Sequence, residues 1–134
     1  MRVFLDTNVI VSAVATRGLC ADVFRAVLAA HELVICDQVL QEVQRILSRK
    51  FGVPEPLLAE YLELIGQEAL VAAPADLPDL PIQDRDDAKI VAAAIAAQVQ
   101  ILVTGDHELQ GLKKVGEVRI ISLRAFWEEL TAPG

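Results

Sequence analysis

Four short aliphatic runs constrain this chain more than anything else in it. They are RVFLD at 2–6, LVIC at 33–36, QILVT at 100–104 and VRIIS at 118–122. Each is short and apolar, as a buried strand would be, whereas the stretches between them repeat their apolar residues with helical period. Helices are expected at about 8–14, 20–31, 38–50, 55–67, 86–98 and 123–130, and a weaker strand at 69–73, ALVAA. Short apolar strands alternating with helices predict an α/β fold in which a parallel sheet is covered on both faces. The segment PADLPDLPIQ, 74–83, carries three prolines and two acids and is expected to be an irregular connection.

A chain of 134 residues suits one domain, taken as 1–130 with a frayed end at 131–134. Apolar residues reach 54% and aromatic ones only 4%, so the core must be aliphatic. No apolar run approaches the ~18 residues that a bilayer requires, and MRVFLD meets a charge too early for a signal peptide. No membrane association is expected. Cys20 and Cys36 are the only cysteines, and two reduced thiols suit the cytoplasm.

The first run raises a chemical question, because it ends in Asp6. Burying an ionised carboxylate costs several kcal/mol, of order, unless it is paired or binds a metal. Capping the next helix would explain one such acid. Others are placed in the same way. Asp37 follows the second run, as the expected N-cap of helix 38–50, and Glu42 stands on the flank of that helix's stripe of Val39, Leu40, Val43, Ile46 and Leu47. Asp87 lies three and four residues before Ile90 and Val91, in phase with a buried stripe, while Asp86 points about 100° away. Complementing the helix dipole would explain Asp84 and Asp86 and explains Asp87 less well, so Asp84 and Asp86 stay candidate supporting residues. In VTGD the third run passes through Thr104 and Gly105 into Asp106, which ordinary turn chemistry also explains.

In a parallel α/β sheet, ligand sites gather beyond the carboxyl ends of the strands. Asp6, Glu42, Asp87 and Asp106 are therefore expected on one edge. At about 5 Å and an effective dielectric near 20, each charged pair would repel by roughly 3 kcal/mol. Such a cluster persists with a cation inside it, or with some members protonated. Oxygen-only donors select hard cations such as Mg²⁺ or Mn²⁺. His31, at a helix end, and His107, in the turn, are expected at the surface and away from this set.

LDTNVIVSA, the acid of QVLQEV, the helix start DRDDAKIVAAA and VTGD resemble, in that order, the motifs of the PIN-domain nucleases, and in particular the toxin-type, VapC-like branch. The resemblance extends from residue 2 to about 128. It implies a three-layer α/β/α domain with a parallel sheet of four or five strands. It also implies an acidic pocket that holds one or two Mg²⁺ or Mn²⁺ ions and hydrolyses RNA phosphodiester bonds. Asp6, Glu42, Asp87 and Asp106 match the acidic positions, with the choice among Asp84, Asp86 and Asp87 open. Thr7 or Asn8, with Thr104, match the supporting polar positions. Relatives of this type form homodimers and are held inactive by a small antitoxin protein.

The net charge of −7 sets this chain apart from a typical basic phosphate binder. Arg45, Arg49, Lys50, Lys113 and Lys114 are the positive charges placed to meet RNA. Competing functions fit less well. A phosphoacceptor domain needs an acid pair by the first strand and a late lysine; an aspartate phosphatase needs an acid where Asn8 stands. A nucleotide-binding module lacks its glycine loop. A catalytically inactive PIN-like binding module remains as the non-enzymatic alternative.

Overall fold

The computed structural model describes residues 1–73 and 80–133. The chain opens with β1 (Arg2–Leu5), α1 (Thr7–Ala15), α2 (Leu19–Ala30) and β2 (Glu32–Cys36). It continues through α3 (Asp37–Arg49), α4 (Glu55–Glu68), β3 (Ala69–Ala72), α5 (Arg85–Ala96) and β4 (Ile101–Val103). It closes with α6 (His107–Leu112), β5 (Lys114–Val115), β6 (Val118–Ile121) and α7 (Leu123–Thr131). Most of the proline-rich connection, residues 74–79, lies outside the described residues, as does Gly134 of the expected frayed end.

The strands form one sheet in the order β3-β2-β1-β4-β6-β5. The first five run parallel, and β5 alone is antiparallel, paired to β6. Successive side chains of a strand point to opposite faces, and Val3, Phe4 and Leu5 are all fully buried. Leu33, Val34 and Ile35 of β2 and Ile101, Leu102 and Val103 of β4 repeat this, so helices cover both faces of the sheet's centre. Leu47, Leu109 and Phe126, from α3, α6 and α7, are likewise buried.

The order of the strands decides where a site can form. From β1 the chain builds outward to β2 and β3, then α5 carries it back to β4 on the other side of β1. The carboxyl ends of β1 and β4 therefore flank the switch point, where the diverging connections leave a crevice. Both ladders run slightly past their strands into that crevice: Asp6 N–H donates to Val103 O (3.0 Å) and Thr104 N–H to Ile121 O (3.1 Å).

Five strands run parallel, within the four or five expected of the parallel sheet, and a sixth is added antiparallel at one edge. The extra strand, β5, is only two residues long and turns back through Gly116, whose φ of +58° suits a residue without a side chain. A six-residue helix, α6, replaces the turn expected around His107. Asp37 is the first residue of α3, with Cys36 at the N-cap position. Leu58 and Ile65 of α4 are core residues, whereas Leu57 and Leu64 on the same helix are exposed. His31 is half-buried and its Nδ1 has no hydrogen-bond partner, in contrast to the surface position expected for it. Both cysteines are free. Among the described residues no helix is long and apolar enough to cross a membrane.

Candidate active site

Asp6 is the last residue before α1 and is only 8% exposed. One of its oxygens accepts from Thr7 N–H (2.7 Å), the other from the Thr104 hydroxyl (2.7 Å). Burial raises its pKa, these two hydrogen bonds pull it back, and the charges of Glu42 and Asp106 push it up again. Thr104, fully buried, ties the site together. While its hydroxyl donates to Asp6 it accepts from Asp106 N–H (3.0 Å), and its carbonyl accepts from Gln110 Nε2 (2.7 Å).

Glu42 reaches the same region from α3. Its Oε2 accepts from the Thr7 hydroxyl (2.6 Å) and its Oε1 from Gln38 Nε2 (2.9 Å), so both oxygens are oriented. Of Thr7 and Asn8, Thr7 is the one that hydrogen-bonds Glu42, while Asn8 is exposed. Gln38 and Gln110 were missed. Gln38 stands four residues before Glu42, a spacing that places two side chains together on a helix, and this was the available signal.

The three acids of DRDD differ in their surroundings. Asp84 is exposed and caps α5, accepting from the backbone N–H of Asp86 (2.9 Å) and Asp87 (3.0 Å). Asp86 is exposed. Asp87 is half-buried, and its pKa is pushed up to about 7, first by burial and then by the charges of Asp84, Asp106, Asp6 and Glu42. Acids from three distant segments, with Asp84 nearby in the chain, therefore act electrostatically on one carboxyl group. Asp106 caps α6 through Leu109 N–H (3.1 Å), which places its carboxylate at the same edge. No lysine or arginine is among the groups that shift Asp6 or Asp87.

This donor set is oxygen-only and uncompensated, which fits a hard divalent cation. Among the described residues, however, no three His, Cys, Asp or Glu side chains are gathered closely enough to hold an ion between them. The hydrogen bonds explain why: Glu42 is turned onto Thr7 and Gln38, and Asp106 onto its own helix.

The basic residues are dispersed. Arg45 and Arg49 line an open groove of about 360 Å³ between α3 and α4. Lys50 is exposed just beyond α3. Lys113 ends α6 with a φ of +62°, and Lys114 lies 4.0 Å from Glu117.

Thr104→Val tests the bridge. Valine keeps the shape but strands an oxygen of Asp6 and the N–H of Asp106, so a loss of about 1–3 kcal/mol in folding stability is expected in urea unfolding. Stability equal to that of the parent would mean that the bridge contributes nothing.

The model of the PIN domain family matches residues 2–108. No curated protein matches the chain by sequence. Among the solved structures that share the fold are three at 18% identity each. VapBC2 from Rickettsia felis, bound to a DNA fragment from their promoter, has a TM-score of 0.63 and covers 91% of this chain and 98% of its own. VapBC-1 from nontypeable Haemophilus influenzae has a TM-score of 0.62, covering 92% and 99%. PAE2754 from Pyrobaculum aerophilum has a TM-score of 0.68, covering 99% and 97%.

Proposed function

The chain belongs to the PIN domain family, and from that premise we propose that it is a Mg²⁺- or Mn²⁺-dependent endoribonuclease, the toxin of a toxin–antitoxin pair. The observation that carries this reading is Asp87. A half-buried carboxyl group pushed to about 7 first by burial and then by the charges of Asp84, Asp106, Asp6 and Glu42, with no cationic side chain among its perturbers, is a place where a divalent cation would relieve a standing repulsion.

Asp6, Glu42, Asp87 and Asp106 would hold one or two ions. A bound ion would lower the pKa of water and offset charge developing on the phosphodiester. The chain's own contribution is orientation. Thr104 fixes the buried carboxylate of Asp6 and the entry to α6, while Thr7 and Gln38 hold Glu42 at a set angle. Such supporting partners commonly change metal affinity or activity 10–100-fold, roughly, when removed. Asp84 acts as a helix cap and Asp86 as a solvated charge.

Two of the structurally similar proteins are VapBC pairs, which supports a small antitoxin protein as partner. A homodimer is proposed on the resemblance, and a cytoplasmic setting on the two free thiols.

The test is incubation of purified protein with a mixed RNA pool, with Mn²⁺ and with chelator. Cleavage that needs the metal and is absent from Asp6→Asn supports the nuclease. Saturable metal binding with every RNA left intact would replace it by the inactive binding module.

A further inference from the structure

The strongest feature outside the acidic edge is the groove between α3 and α4. Its α3 wall carries Gln41, Arg45, Ser48 and Arg49, and its α4 wall carries Glu55 and Leu58. At 100° per residue, Arg45 and Arg49 fall about 60° and 20° from Glu42 around the helix, and about 4.5 and 10.5 Å along it. They form the edge of the groove nearest to Glu42, descending from the acidic site in two steps. Both are exposed, and neither is in an ion pair among the described residues.

Two guanidinium groups one turn apart repel each other. Arg49 complements the carboxyl end of α3, but Arg45 lies a full turn earlier, where that effect has faded. In a chain of net charge −7, an unpaired pair of arginines beside an acidic site is matched by a ligand with repeated negative charge.

We propose that this groove receives the phosphate backbone of single-stranded RNA as it leaves the acidic site, with Arg45 and Arg49 each engaging a phosphate. The proposal rests on the nuclease reading and adds the direction in which the substrate runs. Arginine suits the task because its planar fork meets two phosphate oxygens at once. Gln41 and Ser48 add neutral hydrogen-bonding groups along the same wall, and the carboxylate of Glu55 keeps the backbone on the α3 side.

Binding of a labelled single-stranded RNA to the Asp6→Asn protein, followed by fluorescence anisotropy across a salt series, separates this proposal from catalysis. Each phosphate contact on a single strand contributes about 0.7 to the slope of log K against log salt. Arg45→Gln with Arg49→Gln should flatten the slope by about 1.4, and Arg45→Lys with Arg49→Lys should restore most of it. A control removing the same charge elsewhere, Arg25→Gln with Arg124→Gln, should leave the slope unchanged. An unchanged slope in the groove variant, an equal fall in the control, or no RNA binding by the parent each overturns the proposal. Absence of cleavage by the wild-type chain, with groove-dependent binding retained, would instead overturn the nuclease reading and leave the groove standing.

Discussion

Asp6→Asn is expected to lower divalent-dependent RNA cleavage on the order of a thousand-fold while the protein stays folded. A bound cation contributes several kcal/mol of charge stabilisation to phosphodiester hydrolysis, and losing about 4 kcal/mol is about three factors of ten in rate. Asp6 is the most buried of the acids and sits at the switch point between β1 and β4, so no neighbouring carboxylate can take its place. Asparagine preserves the shape and keeps the oxygen that accepts from Thr7 N–H. It loses the negative charge, and the Thr104 hydroxyl must turn to suit an amide. Single-turnover cleavage of a defined RNA, beside a thermal melt of the same sample, makes the comparison. Asp86→Asn should stay within a few-fold of the parent, because Asp86 is exposed and is not among the charges that shift Asp6 or Asp87. Equal losses in the two variants would show that net charge, and not position, carries the effect.

The second large effect concerns stability. Without metal, Asp87→Asn should stabilise the protein at pH 8 and remove much of its dependence on pH below 7. The sign follows from proton binding. The Asp87 pKa lies at about 7 in the fold, against an ordinary value of 3.8. Between those values the folded state holds the proton and the unfolded state does not, so stability falls as pH rises through this window and is level above it. After discounting for solvent screening of a partly exposed group, the penalty above pH 7 is roughly 1–2 kcal/mol. That corresponds to roughly 4–10 °C in the melting temperature of a domain of this size. Melts from pH 5 to pH 8 in chelator check it. Parallel curves for parent and variant would mean that Asp87 is not under electrostatic stress.

Much of this architecture was legible in the sequence because the central strands are buried on both faces. Such strands must be written as unbroken aliphatic runs, and VFL, LVI and ILV could hardly be anything else. The edge elements carry no such mark. β5 buries little and is two residues long, and α6 fully buries Leu109 alone, with Leu112 partly buried. Neither presents enough periodicity to be read from its own residues.

For the candidate site, the burial of its acids was legible to a similar depth. Helical phase separated Asp87 from Asp86 because α5 does bury Ile90 and Val91. The supporting amides stayed hidden, since a glutamine on a helix is ordinary and its partner is known only once the fold is formed. Gln38 reaches Glu42 and Gln110 reaches the Thr104 carbonyl through geometry that no composition reveals. Tight closure of the acids around one point was expected and is not seen among the described residues. Mutual repulsion, with hydrogen-bond donors at hand, is the physical reason.

Titration of the protein with Mn²⁺ near pH 7.5, followed by electron paramagnetic resonance of the free ion, tests the central claim most directly. Saturable uptake of one or two ions is predicted, lost in both Asp6→Asn and Asp87→Asn and retained in Asp86→Asn. No uptake up to millimolar Mn²⁺, or uptake that both variants leave intact, would contradict it.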